Sequence, residues 1–87
     1  MYYLNCVRFG KRNIRETYNG SASETRAYAS KMLTKYKGEY VDVAFRPEGG
    51  KVIPQGSIIK LPSGRGWMTK KRLYRLKRNG ELGEVIE

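Results

Sequence analysis

Residues 40–46 alternate along the chain: Val41, Val43 and Phe45 fall on one side, with Asp42 and Ala44 on the other. A period of two predicts a strand whose apolar face lies on a core. Upstream, Tyr28, Ala29, Met32, Leu33 and Tyr36 recur at helical spacing and make one apolar stripe. Ser21-Ala22-Ser23-Glu24 precedes the stripe as a capping box, in which the serine hydroxyl accepts from the third helical N–H and Glu24 reaches back. Lys31, Lys35 and Lys37 occupy the half of the segment where a helix dipole favours cations, and Gly38 stands where a left-handed cap is wanted. The pattern predicts a helix over residues 22–37 that packs on the 40–46 strand.

The remaining segments are shorter. Residues 2–9 are rich in aromatic and β-branched types and predict a strand, followed by a turn at Gly10-Lys11-Arg12-Asn13. Residues 14–18 predict its return, closed by Asn19-Gly20. Short strands are expected over residues 51–53 and 57–61, on either side of Pro54-Gln55-Gly56. Pro62-Ser63-Gly64-Arg65-Gly66, with two glycines and a proline, reads as a loop.

From Trp67 onward two readings compete. As a hairpin, Asn79-Gly80 matches a type I′ turn. Counting outward then pairs Arg78 with Glu81, Arg75 with Glu84, Arg72 with Glu87, Tyr74 with Val85 and Leu73 with Ile86, so charges and apolar residues both match. As a helix, Thr69 would cap, Leu73 and Leu76 would be buried, and Gly80 would follow the last turn. That arrangement sets Lys70, Lys71 and Arg72 in a first turn, where the dipole repels cations. The hairpin is the better fit.

Composition narrows the chemistry. A chain of 87 residues with 39% hydrophobic content supports a modest core and argues against wholesale disorder. One domain, residues 1–87, is expected. The single cysteine, Cys6, excludes an internal disulfide, and the absence of histidine removes the commonest zinc ligand and general base. Glu16, Glu24, Glu39, Asp42 and Glu48 show no spacing suited to acid–base catalysis or a carboxylate metal site. Cys6 in a strand reads as a small buried hydrophobe with nothing to activate it. A non-enzyme without metal or cofactor is therefore expected. No apolar run is long enough to span a bilayer, and the first residues do not read as a signal peptide. The expected setting is cytoplasmic.

Charge changes the picture most. The net charge is +10, and no acidic residue lies between Glu48 and Glu81, a stretch holding nine lysines and arginines. Concentrated positive charge attracts polyanions. The ordinary alternative is a solvated face, but solubility does not require a surface of one sign. The candidate contact residues are Lys60, Arg65, Trp67, Lys70, Lys71, Arg72, Tyr74, Arg75, Lys77 and Arg78. Arg65, flanked by glycines, suits phosphate. Trp67 beside it has two readings: a stacking face for a base, or the largest side chain of the core. Arg8, Lys11, Arg12 and Arg15 form a smaller basic cluster around the first turn, and Tyr2, Tyr3 and Tyr74 suit a nucleic-acid or a protein face equally.

The expected fold is α+β, with one amphipathic helix packed on a small, mostly antiparallel sheet of three to five strands. The expected function is a non-catalytic nucleic-acid-binding module, for DNA or RNA, in which residues 60–78 contact phosphates. The alternative is a small basic inhibitor or adaptor, of the kind viruses and mobile elements encode, docking on an acidic surface of a protein or nucleoprotein. Binding to anionic lipid ranks third, because no helix joins a basic face to a wide apolar one.

Overall fold

Helix α1, Ala22–Lys35, begins at the capping box: Ser21 Oγ accepts from the Glu24 amide at 3.1 Å, and Glu24 Oε1 accepts from the Ser21 amide at 2.9 Å. Its C-terminus departs from expectation. The left-handed residue is Lys37, with φ 52°, and not Gly38. The Gly38 amide donates to Leu33 at 3.0 Å and the Lys37 amide to Thr34 at 3.3 Å, the double closure of a Schellman motif. Gly38 is glycine for another reason, since a Cβ there would overlap Cys6 Sγ.

This computed structural model describes residues 1–86. Its strands are β1 (Tyr2–Val7), β2 (Ile14–Tyr18), β3 (Tyr40–Phe45), β4 (Ile53–Leu61), β5 (Gly64–Met68), β6 (Leu73–Leu76) and β7 (Leu82–Val85). They form a single sheet in the order β2-β1-β3-β4-β5-β6-β7, with every neighbouring pair antiparallel. Helix α1 carries the chain from β2 to β3 across β1. The class is α+β, as expected, but the sheet has seven strands rather than three to five. Both arms of each expected hairpin form, and the glycine-rich segment contributes one more.

Three local expectations are corrected. Residues 53–61 make one strand through Pro54, because the register shifts between Val43 and Ala44 opposite it and β5 does not run alongside residues 53–56. The expected loop over residues 62–66 shrinks to Pro62-Ser63, with Leu61 already paired to Gly64 and Lys60 to Arg65. Strand β1 ends at Val7, leaving Phe9 in the turn.

The C-terminal segment is a hairpin, and the helical alternative does not occur. Its turn is not type I′: the Gly80 amide donates to Lys77 at 2.9 Å, Gly80 has φ 90°, and Asn79 keeps a negative φ. That is the longer loop closed by a left-handed glycine. Tyr74 pairs with Val85 and the Ile86 amide donates to Leu73 at 2.7 Å, as the matched pairs require, but Leu76 slips onto Leu82. Arg75 reaches Glu84 at 3.8 Å, while Arg78 and Glu81 do not pair. The Arg72 with Glu87 pairing lies outside the described residues. Gly80 docks on α1, where Arg26 Nε donates to its carbonyl at 2.7 Å.

The core lies between α1 and one face of the sheet: Leu4, Cys6, Ala29, Met32, Leu33, Val41, Val43, Ile58, Trp67 and Leu76. Burial pushes the Cys6 thiol pKa up, in keeping with an inert hydrophobe. At the rim, the Glu16 carboxylate accepts from the hydroxyls of Tyr28 and of Tyr36, the latter at 2.7 Å. These two bonds, Tyr28's first, hold its carboxyl below the usual glutamate range. A group whose pKa is depressed on folding adds stability above its unfolded pKa and loses it as pH falls through the folded value. Glu16→Gln should therefore cost about 1 kcal/mol near neutral pH, trimmed by solvent access. In a thermal melt series the gap to the wild type should close as pH drops below about 4.3. A gap that is constant down to pH about 3 would show that the ionised form plays no part.

Candidate functional site

Three segments converge beside the helix. Ala27, Ser30, Lys31, Thr34 and Lys35 repeat at three and four residues and so share one flank of α1. Gly64 and Arg65 approach from the start of β5, and Leu76, Lys77 and Arg78 from the end of β6. Between them lies an open groove of about 750 Å³. Five of its lining residues are cations, and among the described residues none of the lining is acidic.

Arg65 is the fixed member. It sits on the helix-facing side of β5 two residues from Trp67, cross-strand from both Lys60 and Leu76. Its Nη2 donates to Thr34 Oγ1 at 2.8 Å, while its Nε is buried and, among the described residues, lacks a partner. A guanidinium has five N–H donors in a planar fork, so one bond to Thr34 anchors it and leaves others for an anion. Lys31, Lys77 and Arg78 are exposed around it, and Lys35, also exposed on this lining, holds its ammonium 5.1 Å from the Tyr36 ring centroid.

The structure divides the other candidate residues. Lys60 shares the helix-facing side with Arg65, but its ammonium lies 3.5 Å from the Glu39 carboxylate. Both groups are exposed, so that pair contributes little to stability. Lys70, Lys71 and Arg72 occupy the β5–β6 turn, tied by Thr69 Oγ1 accepting from the Lys71 and Arg72 amides at 3.3 and 3.1 Å. This turn is a strand length from the groove, about 15 Å. Arg75 is on the opposite face of the sheet, with Nη1 donating to the Ser63 carbonyl at 3.4 Å. Trp67 takes the core alternative. It is 5% exposed, with the Arg26 guanidinium 5.6 Å from its ring centroid, and offers no stacking face. Tyr74, its cross-strand neighbour, is partly buried against the same core.

Two groove residues escaped the sequence reading. The helix dipole accounts for Lys31 and Lys35 in the sequence, yet a like-charged pair at i, i+4 is unfavourable by a few tenths of a kcal/mol. That unopposed pair is the signal that marks them. The first basic cluster does not join the groove: β2 and β6 are five strand spacings apart along the sheet, about 24 Å.

Protein-family models, curated proteins and solved structures give no match to this chain. Among the described residues, no helix is long and apolar enough to cross a membrane.

Proposed function

We propose that the chain is a non-catalytic nucleic-acid-binding module whose phosphate-contacting surface is the groove between α1 and the ends of β5 and β6. The observation that carries this reading is the gathering of Lys31, Lys35, Arg65, Lys77 and Arg78 around one open concavity, from three segments separated in sequence. Holding five like charges together opposes folding and is offset when phosphates neutralise them. A planar guanidinium fixed at the wall suits bidentate phosphate recognition, with the lysines as mobile point charges around it. Such contacts position a backbone and carry little base information.

The test is salt. With about five phosphate contacts, affinity for a labelled oligonucleotide should fall by about 10²-fold or more between roughly 50 and 200 mM salt. Failure to bind single-stranded DNA, duplex DNA and RNA at the lower salt would overturn the reading. Capture of a protein that survives nuclease treatment would then move the assignment to an inhibitor or adaptor on an acidic surface.

A further inference from the structure

At the far side of the sheet, the β1–β2 connection ends in a turn, with the Lys11 amide donating to the Arg8 carbonyl at 3.3 Å and Gly10 at φ 80°. Arg8 folds back over it: Nε and Nη2 donate to the Arg12 carbonyl at 2.9 and 2.7 Å. The tip is therefore braced. On it stands Phe9, 73% exposed, where the other large exposed hydrophobics lie between 41% and 49%. A phenyl ring left in water forgoes most of what burial would contribute to folding.

The surroundings give the ring a context. Lys11, Arg12 and Arg15 are exposed beside the turn. The nearby acids are engaged: Glu16 holds the Tyr28 and Tyr36 hydroxyls, Glu39, whose amide donates to Val7, faces Lys60, and Asp42, which lines a concavity with Arg15, accepts from Ser57 Oγ at 2.6 Å. We infer that Phe9 is a base-stacking residue, presenting its ring to an unpaired base while Lys11, Arg12 and Arg15 contact the flanking phosphates. This inference rests on the nucleic-acid reading above and adds to it a second contact point and a preference for single strands. An aromatic face stacks on any accessible base, whereas bases inside a duplex are covered by their neighbours. Membrane insertion fits less well, because its strength scales with buried apolar area and this tip offers one ring. The sign of the cluster selects a polyanion over a neutral pocket.

The test uses the full chain with a single-stranded oligonucleotide carrying 2-aminopurine, whose emission falls on stacking. Phe9→Leu keeps an apolar side chain and removes the aromatic face; Phe9→Tyr keeps the face. Phe9→Leu should weaken single-strand binding between about fivefold and a hundredfold and lose the quench, with the salt slope unchanged. Phe9→Tyr should retain both, and duplex affinity should respond to neither. Wild-type affinity and quench in Phe9→Leu would overturn the stacking role and leave the phosphate groove standing. A wild-type protein that binds no oligonucleotide would remove both. If Phe9→Leu instead reduces only capture on phosphatidylserine vesicles, the tip belongs to a membrane surface and the stacking role is overturned.

Discussion

Gly80→Ala is expected to remove about 3–5 kcal/mol of folding stability, close to all that a domain of this size retains. Three causes act together. Gly80 has φ 90°, which an L side chain adopts with strain. A Cβ there would overlap the Ser23 carbonyl oxygen and sit 2.9 Å from the Ala27 nitrogen, both backbone atoms of α1 that have no room to yield. Pushing the turn outward also breaks the bond from Arg26 Nε to the Gly80 carbonyl. Gly10 supplies the control: its φ is 80°, but nothing lies within 4 Å of a Cβ added there. Gly10→Ala should carry the strain alone, about 1–2 kcal/mol. Thermal unfolding followed by circular dichroism should separate the two variants by roughly 10–20 °C. Equal melting temperatures would mean that the turn does not dock on the helix.

The second large effect is on binding. Lys77→Glu with Arg78→Glu should lower nucleic-acid affinity by about 10²-fold or more at low salt and flatten the salt slope by about two contacts. Lys70→Glu with Lys71→Glu changes the net charge equally, but at the β5–β6 turn on the other side of the strands. It should act only through the long-range field, costing roughly fivefold or less, an effect that fades as the Debye length contracts. All four side chains are exposed, so both double variants should fold within about 0.5 kcal/mol per site of the wild type. Fluorescence anisotropy against one oligonucleotide gives the comparison. Equal losses would mean that the cations act as a diffuse field and that the groove has no special standing.

What was legible in the sequence is what neighbours along the chain decide. Helix α1 announces itself through Ser21 and Glu24 and through a stripe visible in residue spacing alone, and β3 through its alternation. The hairpin of β6 and β7 was legible in its matched pairs. Its turn type was not, because Gly80 answers to the Ser23 carbonyl on α1 rather than to Asn79 beside it. Strand β5 was hidden for a related reason: Gly64 and Gly66 carry no strand preference, and their conformation is imposed by pairing with β4 on one side and β6 on the other. The sign of the site was legible in the missing acids. Its position was not, since reversal at Thr69 sends Lys70, Lys71 and Arg72 to one end of the strands and Lys77 and Arg78 to the other. Phe9 carries a strand former's propensity, and only the early end of β1 reveals it as a tip.

The turn bearing Lys77 and Arg78 is fastened before any ligand arrives, by Gly80 on Lys77, Lys77 on Glu81 and Arg26 on Gly80. Ordering that backbone, about 1–2 kcal/mol per residue, is completed during folding. Only the outer bonds of long side chains remain to be stilled on binding, about 0.5–1.5 kcal/mol for each. Arg65, pinned to Thr34, has still less freedom to lose. On the proposed reading the groove would act as a ruler, favouring polyanions whose charge spacing already matches its own over flexible ones of equal charge.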